Sequence, residues 1–357
     1  MSENSQHIIV IGAGLIGLCT AYSLRTRGAK VSLIDIKSGP CLGTSFSNSG
    51  MIHPSQARPW NFTGNKVQAD AVFQASYDLA EKSKHILEDK LTAMGLWTPR
   101  DISGCYKIYP SLETARHAQE RYANDGVMSR VVMDVKATLG HTTLYFENDI
   151  WANAYTYCEF LEAQLHTRGA TFIYNASNLR LRRLDDGVTA GLDGHIFKAD
   201  HVIICAGPQS GDILAKLNLN LSIEKLRGFA VNFELPDIEL PPAPLMDSQT
   251  RSAMTIFDNH IRFSGTVGED SARPLLKRWY ELAPDIMASL KPATEIWTGL
   301  RPMSKAGRPY IGRTSISNLW VNAGQGHMGW TLSAGSGDLM ARMIIDGEED
   351  DRYALVT

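Results

Sequence analysis

The chain has no long apolar run, no excess of charge of either sign and no paired-cysteine motif. Its longest strongly apolar stretch, Ile8 to Leu18, carries three glycines and is too short to span a bilayer. Lys and Arg number 35 against 38 Asp and Glu, a formal net charge of -3, so no global basic field points to nucleic acid or an acidic membrane. The five cysteines (Cys19, Cys41, Cys105, Cys158 and Cys205) are scattered and odd in number. Without a Cys-x-x-Cys pair they indicate neither a disulfide framework nor a metal site. The opening residues lack a basic region followed by a cleavable apolar stretch. The expectation is a reduced, cytoplasmic protein, with peripheral attachment at an inner membrane left open. What is present is 357 residues, 44% hydrophobic and 20% charged, enough for one large domain or two intertwined ones.

Along the chain, His7 to Ile11 reads as a buried strand, followed by a helix to about Arg27 and a second strand from Lys30 to Ile34. Residues 36–64 read mostly as loop. Apolar residues at near-helical spacing predict helices over 65–94, Leu112 to Asn124 and 153–168. Short strands are expected at Thr171–Tyr174, Leu179–Arg183, Val188–Leu192 and His201–Cys205, and a sheet-rich stretch from Gly228 to Thr266. Residues 272–290 read as helix, Glu295–Leu300 and Leu319–Asn322 as strands, and Thr331 to Ile345 as the last helix. No linker separates two domains cleanly, so a two-domain chain must cross between them more than once.

Gly12-Ala13-Gly14-Leu15-Ile16-Gly17 lies between the first strand and helix. In such a loop the first glycine permits the turn, the second lets a pyrophosphate approach the backbone, and the third lets helix and strand pack. The helix N-terminus offers N–H groups and partial positive charge to phosphates. Asp35, closing the second strand, is placed to accept hydrogen bonds from ribose hydroxyls and to repel a 2′-phosphate. The motif does not separate NAD from FAD. Three further segments favour FAD. One is the small, polar run from Gly43 to Pro54, with Thr44, Ser45, Asn48, Ser49, Gly50 and Met51 suited to lie against a flat ring. Another is the strand ending in Cys205-Ala206-Gly207. The third is Asn322 to Trp330, whose Gly326, His327, Met328, Gly329 and Trp330 lead into the last helix.

With Trp297 to Met303, Gly307 to Gly312 and Gly324 to Gly337, these motifs resemble the FAD-dependent D-amino-acid oxidase family, nearest its bacterial D-amino-acid dehydrogenase and glycine oxidase branches. The resemblance implies an α/β, Rossmann-like FAD-binding domain (1–55, 140–225 and 300–357) interleaved with an antiparallel-sheet substrate domain (56–139 and 226–299). It implies FAD as cofactor and Arg301 of Gly-Leu-Arg-Pro as the ligand of a substrate carboxylate. His327 falls where glycine oxidase carries a second carboxylate-binding Arg, and Thr255 near a substrate-facing position. His53 is a further catalytic candidate beside the flavin-covering loop, Arg58 and Trp60 candidates for the pocket mouth, and Arg308 and Tyr310 a segment near the flavin.

The reaction implied is oxidation of the C–N bond of a D-amino acid, glycine or N-substituted amino acid by hydride transfer to flavin N5, giving an imine that hydrolyses. The electron acceptor, whether quinone, oxygen or a partner subunit, stays open. So does a hetero-oligomer in which this chain is the catalytic subunit for proline-like or opine substrates. A structural flavin module without turnover is the alternative from another class.

Overall fold

The structure, a computed structural model, describes residues 5–46, 48–60, 62–96, 104–265 and 270–355. Ser47 of the flavin-covering loop and Thr266 of the sheet-rich stretch lie outside them. Two sheets dominate. The first has six strands in the order Tyr310–Arg313, Leu319–Ala323, His201–Ile204, His7–Ile11, Lys30–Ile34 and Thr171–Ile173. All neighbours in it are parallel except the first pair. Ile8, Ile9 and Val10 are fully buried, as a parallel strand covered on both faces requires.

The expected β-α-β unit is present: His7–Ile11, the helix Leu15–Thr26 and Lys30–Ile34. Gly28, at φ +88°, ends the helix in the left-handed region that favours glycine. The long helix Lys66–Ala93 starts at a capping box in which Asn65 and Gln68 satisfy each other's backbone N–H groups. The last helix, Gly329–Ala341, packs against both of these helices.

The second sheet has eight strands, ordered Glu295–Ser304, Ile223–Glu234, His260–Gly265, Ala253–Ile256, Leu245–Asp247, Cys105–Ile108, Thr143–Phe146 and Arg130–Val132. It is antiparallel apart from the pairing of Leu245–Asp247 with Cys105–Ile108. The segment 272–290 is two helices, Arg273–Leu282 and Pro284–Ser289, broken where Pro284 cannot continue the first. The strand Glu295–Ser304 runs beyond the expected Leu300 and through Pro302, which its position at the sheet edge permits. Between the two sheets lies one large cavity of about 1090 Å³, lined by residues of both.

Candidate functional site

At the parallel-sheet end, the three loop glycines divide the work. Gly12 has φ +108°, and a Cβ there would clash with the Cys205 carbonyl. A Cβ on Gly17 would clash with the Gly12 carbonyl, so that glycine serves helix–strand contact and does not reach the cavity. Gly14 does reach it, and a Cβ there would meet only the Ser45 hydroxyl, at 3.2 Å. Asp35 lines the same end. Its two carboxylate oxygens accept from the backbone N–H groups of Ala13 (2.6 Å) and Lys37 (2.8 Å), which fixes the carboxylate on the cavity edge.

The loop 43–51 is pinned against this end by partners from all over the chain. The Thr44 hydroxyl donates to the Leu300 carbonyl at 2.9 Å. Ser45 Oγ accepts from the Leu15 N–H, Arg262 donates to the Asn48 carbonyl, and Trp330 Nε1 donates to the Gly50 carbonyl at 3.1 Å. Thr44, Ser45, Asn48, Ser49 and Met51 line the cavity, with Ala206, Gly207, Gly326, Gly329 and Trp330 around them. Three residues expected to touch a cofactor do not line it. Gly17 packs as described, Gly50 turns the chain at φ +77° against Phe257, and Met328 is buried on the far side of its turn. Thr255 is also absent from the wall. It is fully buried, and its hydroxyl donates to the Ser49 carbonyl at 2.7 Å.

The antiparallel sheet supplies the other end. Arg301 stands within the edge strand, opposite Leu226, and not at its end. A Cβ on Gly228 would clash with the Arg301 guanidinium, so this glycine makes room for the side chain. Burial pushes the Arg301 pKa down to about 10, which leaves it charged at neutral pH. His327 stacks on Trp60 with ring centroids 4.0 Å apart and planes 16° apart, and its Nε2 bonds the Gln56 carbonyl at 3.1 Å. A carbonyl only accepts, so Nε2 carries the proton. Burial pushes the His327 pKa down to about 3. The ring is therefore neutral in ordinary buffers.

His53 lines the cavity and is 8% exposed, with its backbone N–H donating to Thr331 Oγ1 at 3.0 Å. Its Nδ1 is buried and has no hydrogen-bond partner among the described residues. Burial, with the Lys107 charge nearby, pushes its pKa down to about 4. Arg58 lines the mouth, but its guanidinium is held by Asp125 and Asp70. Arg308 and Tyr310 are outside the large cavity, donating to the carbonyls of Ala354 and Ser222.

Several wall residues carry no sequence motif. Lys107 Nζ donates to Gln56 Oε1 at 2.7 Å and to the Tyr122 hydroxyl at 3.0 Å. Gln56 donates to Ser55 Oγ (2.8 Å), which in turn donates to Asp149 at 2.6 Å. Asp149 is 1% exposed, and burial pushes its pKa up to about 7. Arg251 stands over the Trp60 ring at 4.9 Å. Only spatial neighbours reveal these groups, because they are brought in by short strands, turns and a helix far apart in the chain.

The residues present fit an adenine dinucleotide. The side-chain-free floor at Gly14, the helix N-terminus behind it, the Asp35 carboxylate and the small residues beyond match its pyrophosphate, ribose and ring in turn. The volume exceeds the roughly 300–1,000 Å³ of ordinary small-ligand sites, leaving room for a substrate as well.

Comparison with known proteins agrees. A family model described as FAD dependent oxidoreductase, DAO, matches residues 7–343. The chain is 25% identical over 400 residues to the D-amino acid dehydrogenase of Methylobacterium radiotolerans, covering 95% of each. Among solved structures, glycine oxidase from Bacillus cereus superposes with a TM-score of 0.81 at 19% identity, covering 99% of each chain. An iminodiacetate oxidase from Chelativorans sp. gives a TM-score of 0.81 at 20% identity over 98% of each.

Proposed function

The chain belongs to the DAO family of FAD-dependent oxidoreductases, and from that premise we propose that it oxidises the C–N bond of an amino acid whose carboxylate Arg301 holds. The observation that carries this reading is one cavity that joins the glycine cradle and Asp35 to a half-buried arginine from the opposite sheet. The names of its relatives, D-amino acid dehydrogenase and glycine oxidase, support an amino-acid substrate. FAD, when bound, supplies the two-electron acceptor for a hydride from the carbon of the C–N bond.

The chain's own residues then have defined tasks. Gly12, Gly14 and Asp35 hold the pyrophosphate and ribose, and Thr44, Ser45, Asn48, Ser49 and Met51 face the ring. Arg301, desolvated over Gly228, forms paired charge-assisted hydrogen bonds with the carboxylate and so orients the amine. His327 and His53 stay neutral, so neither adds positive charge to repel an ammonium group arriving in the cavity. His53 Nδ1, buried and without a hydrogen-bond partner among the described residues, is the group that a bound ligand would satisfy.

Arg301→Ala separates this from a structural role. Loss of a paired, buried charge contact costs roughly 2–5 kcal/mol, or about 30-fold to several-thousand-fold in kcat/KM. FAD content should stay at the wild-type level. Unchanged kcat/KM with full FAD content would remove Arg301 from the site.

A further inference from the structure

Arg251 is a cation of the cavity wall that amine oxidation alone leaves unused. It sits in the turn between strands Leu245–Asp247 and Ala253–Ile256. That turn is built from beneath. The Asp247 carboxylate accepts from the Thr250 N–H (3.1 Å) and hydroxyl (2.7 Å), and its carbonyl accepts from the Arg251 N–H at 3.0 Å. Burial raises the pKa of that carboxylate, but Arg278, donating to it at 2.8 Å, brings it below its ordinary value. Arg251 itself takes φ +54°, a conformation uncommon for a residue with a side chain. The result is an exposed guanidinium at the cavity mouth, resting on a Trp60 ring that is stacked in turn on His327.

The charge at this end is one-sided. Lys107 lies on the same wall with two of its three N–H groups committed. The wall's one carboxylate here, Asp247, is spent on Arg278 and its own turn, and no glutamate lines the cavity among the described residues. Asp35 and Asp212, the other acids, belong to the nucleotide end. Arg251, through Trp60, borders His327, and Arg301 lines the same cavity, so both guanidinium groups face one space. Arg301 suffices for an α-carboxylate, and Arg251 offers a second anion a partner at the mouth.

We propose that the substrate is a dicarboxylic amine, its α-carboxylate on Arg301 and its second carboxylate on Arg251. This rests on the amino-acid reading of the cavity. The second carboxylate belongs either to an acidic side chain, as in aspartate and glutamate, or to an N-carboxyalkyl arm, as in iminodiacetate.

The test uses the FAD-loaded protein and two readouts. First, succinate and glutarate are titrated against propionate and butyrate, following the perturbation of the flavin absorbance band. Dicarboxylates should bind at least about 10-fold more tightly, the size of one added charge contact. Arg251→Met should abolish that ratio and Arg251→Lys restore part of it, with retained FAD absorbance reporting that each variant is folded. Second, kcat/KM is compared for D- and L-aspartate and glutamate, for iminodiacetate, and for alanine and sarcosine. A preference for the first set assigns the second carboxylate to a side chain, and a preference for iminodiacetate assigns it to the nitrogen arm. Equal binding of mono- and dicarboxylates, or an unchanged ratio in Arg251→Met, overturns the Arg251 assignment while leaving Arg301 in place. Perturbation by neither class of acid overturns the carboxylate reading of Arg301 as well.

Discussion

A side chain on residue 228 would occupy the place of the Arg301 guanidinium, so one glycine determines whether the cavity has this cation. Gly228→Val should therefore mimic Arg301→Ala in KM while Arg301 is still present, a result checked by steady-state kinetics with the FAD content measured in parallel. The histidines make a separate prediction. His53 and His327 are held at about 4 and about 3, below the ordinary 6.5, because burial opposes their charged forms. The unfolded chain binds those protons first. Their contribution is intact above pH 6.5 and is lost as pH falls, down to about 4 for His53 and about 3 for His327. For His53 this amounts to about 3 kcal/mol. Asp149, raised to about 7 from 3.8, acts in the opposite sense between those values. The His effect is therefore read by difference. His53→Asn should lose less Tm than the wild type between pH 6.5 and 4.5, and parallel curves would refute the shift. Arg301, Gly12 and Asp35 were readable in the sequence because each sits in a motif with fixed spacing. The neutral state of His327 was not, since it depends on burial among residues that include Trp60, more than 260 positions away. Arg251, in a turn with no motif, gave no sequence signal at all.

The last helix shows how elements fix the site. A Cβ on Gly335 would sit 2.8 Å from the Leu79 carbonyl, and one on Gly337 2.6 Å from the Cys19 backbone. These two glycines let Gly329–Ala341 wedge between Leu15–Thr26 and Lys66–Ala93, and so set where Trp330 anchors the Gly50 carbonyl. Gly337→Leu should destabilise by about 1–3 kcal/mol through overpacking and should lower FAD content, because it displaces the helix that carries the dinucleotide loop. A variant with wild-type Tm and FAD content would disprove this coupling. Helices with caps and sustained periodicity, such as Lys66–Ala93, were legible to within a residue or two. The strands Cys105–Ile108, Arg130–Val132 and Thr143–Phe146 were not. They are three or four residues long, and Cys105–Ile108 pairs with Leu245–Asp247, some 140 residues on. Such strands are specified by their partners and leave no period of their own. Lys107 entered the cavity wall on one of them and was missed for that reason.

On the scale of the molecule, the chain crosses between a parallel sheet that cradles a dinucleotide and an antiparallel sheet that presents cations. The FAD cradle was legible because glycine spacing reports backbone shape directly. The substrate wall was only partly so, because it is assembled from turns and strand edges whose register no local pattern encodes. No helix among the described residues is long and apolar enough to cross a membrane. The claim that joins the two ends is that an amine held by Arg301 delivers its electrons to FAD. An anaerobic visible spectrum of the FAD-loaded protein, titrated with glycine, sarcosine, D- and L-amino acids, proline isomers, opines and iminodiacetate, tests it most directly. Bleaching of the flavin band by at least one of these, abolished or strongly weakened in Arg301→Ala, is the expected result. A flavin band that none of them bleaches, in a protein that dithionite still reduces, would contradict it.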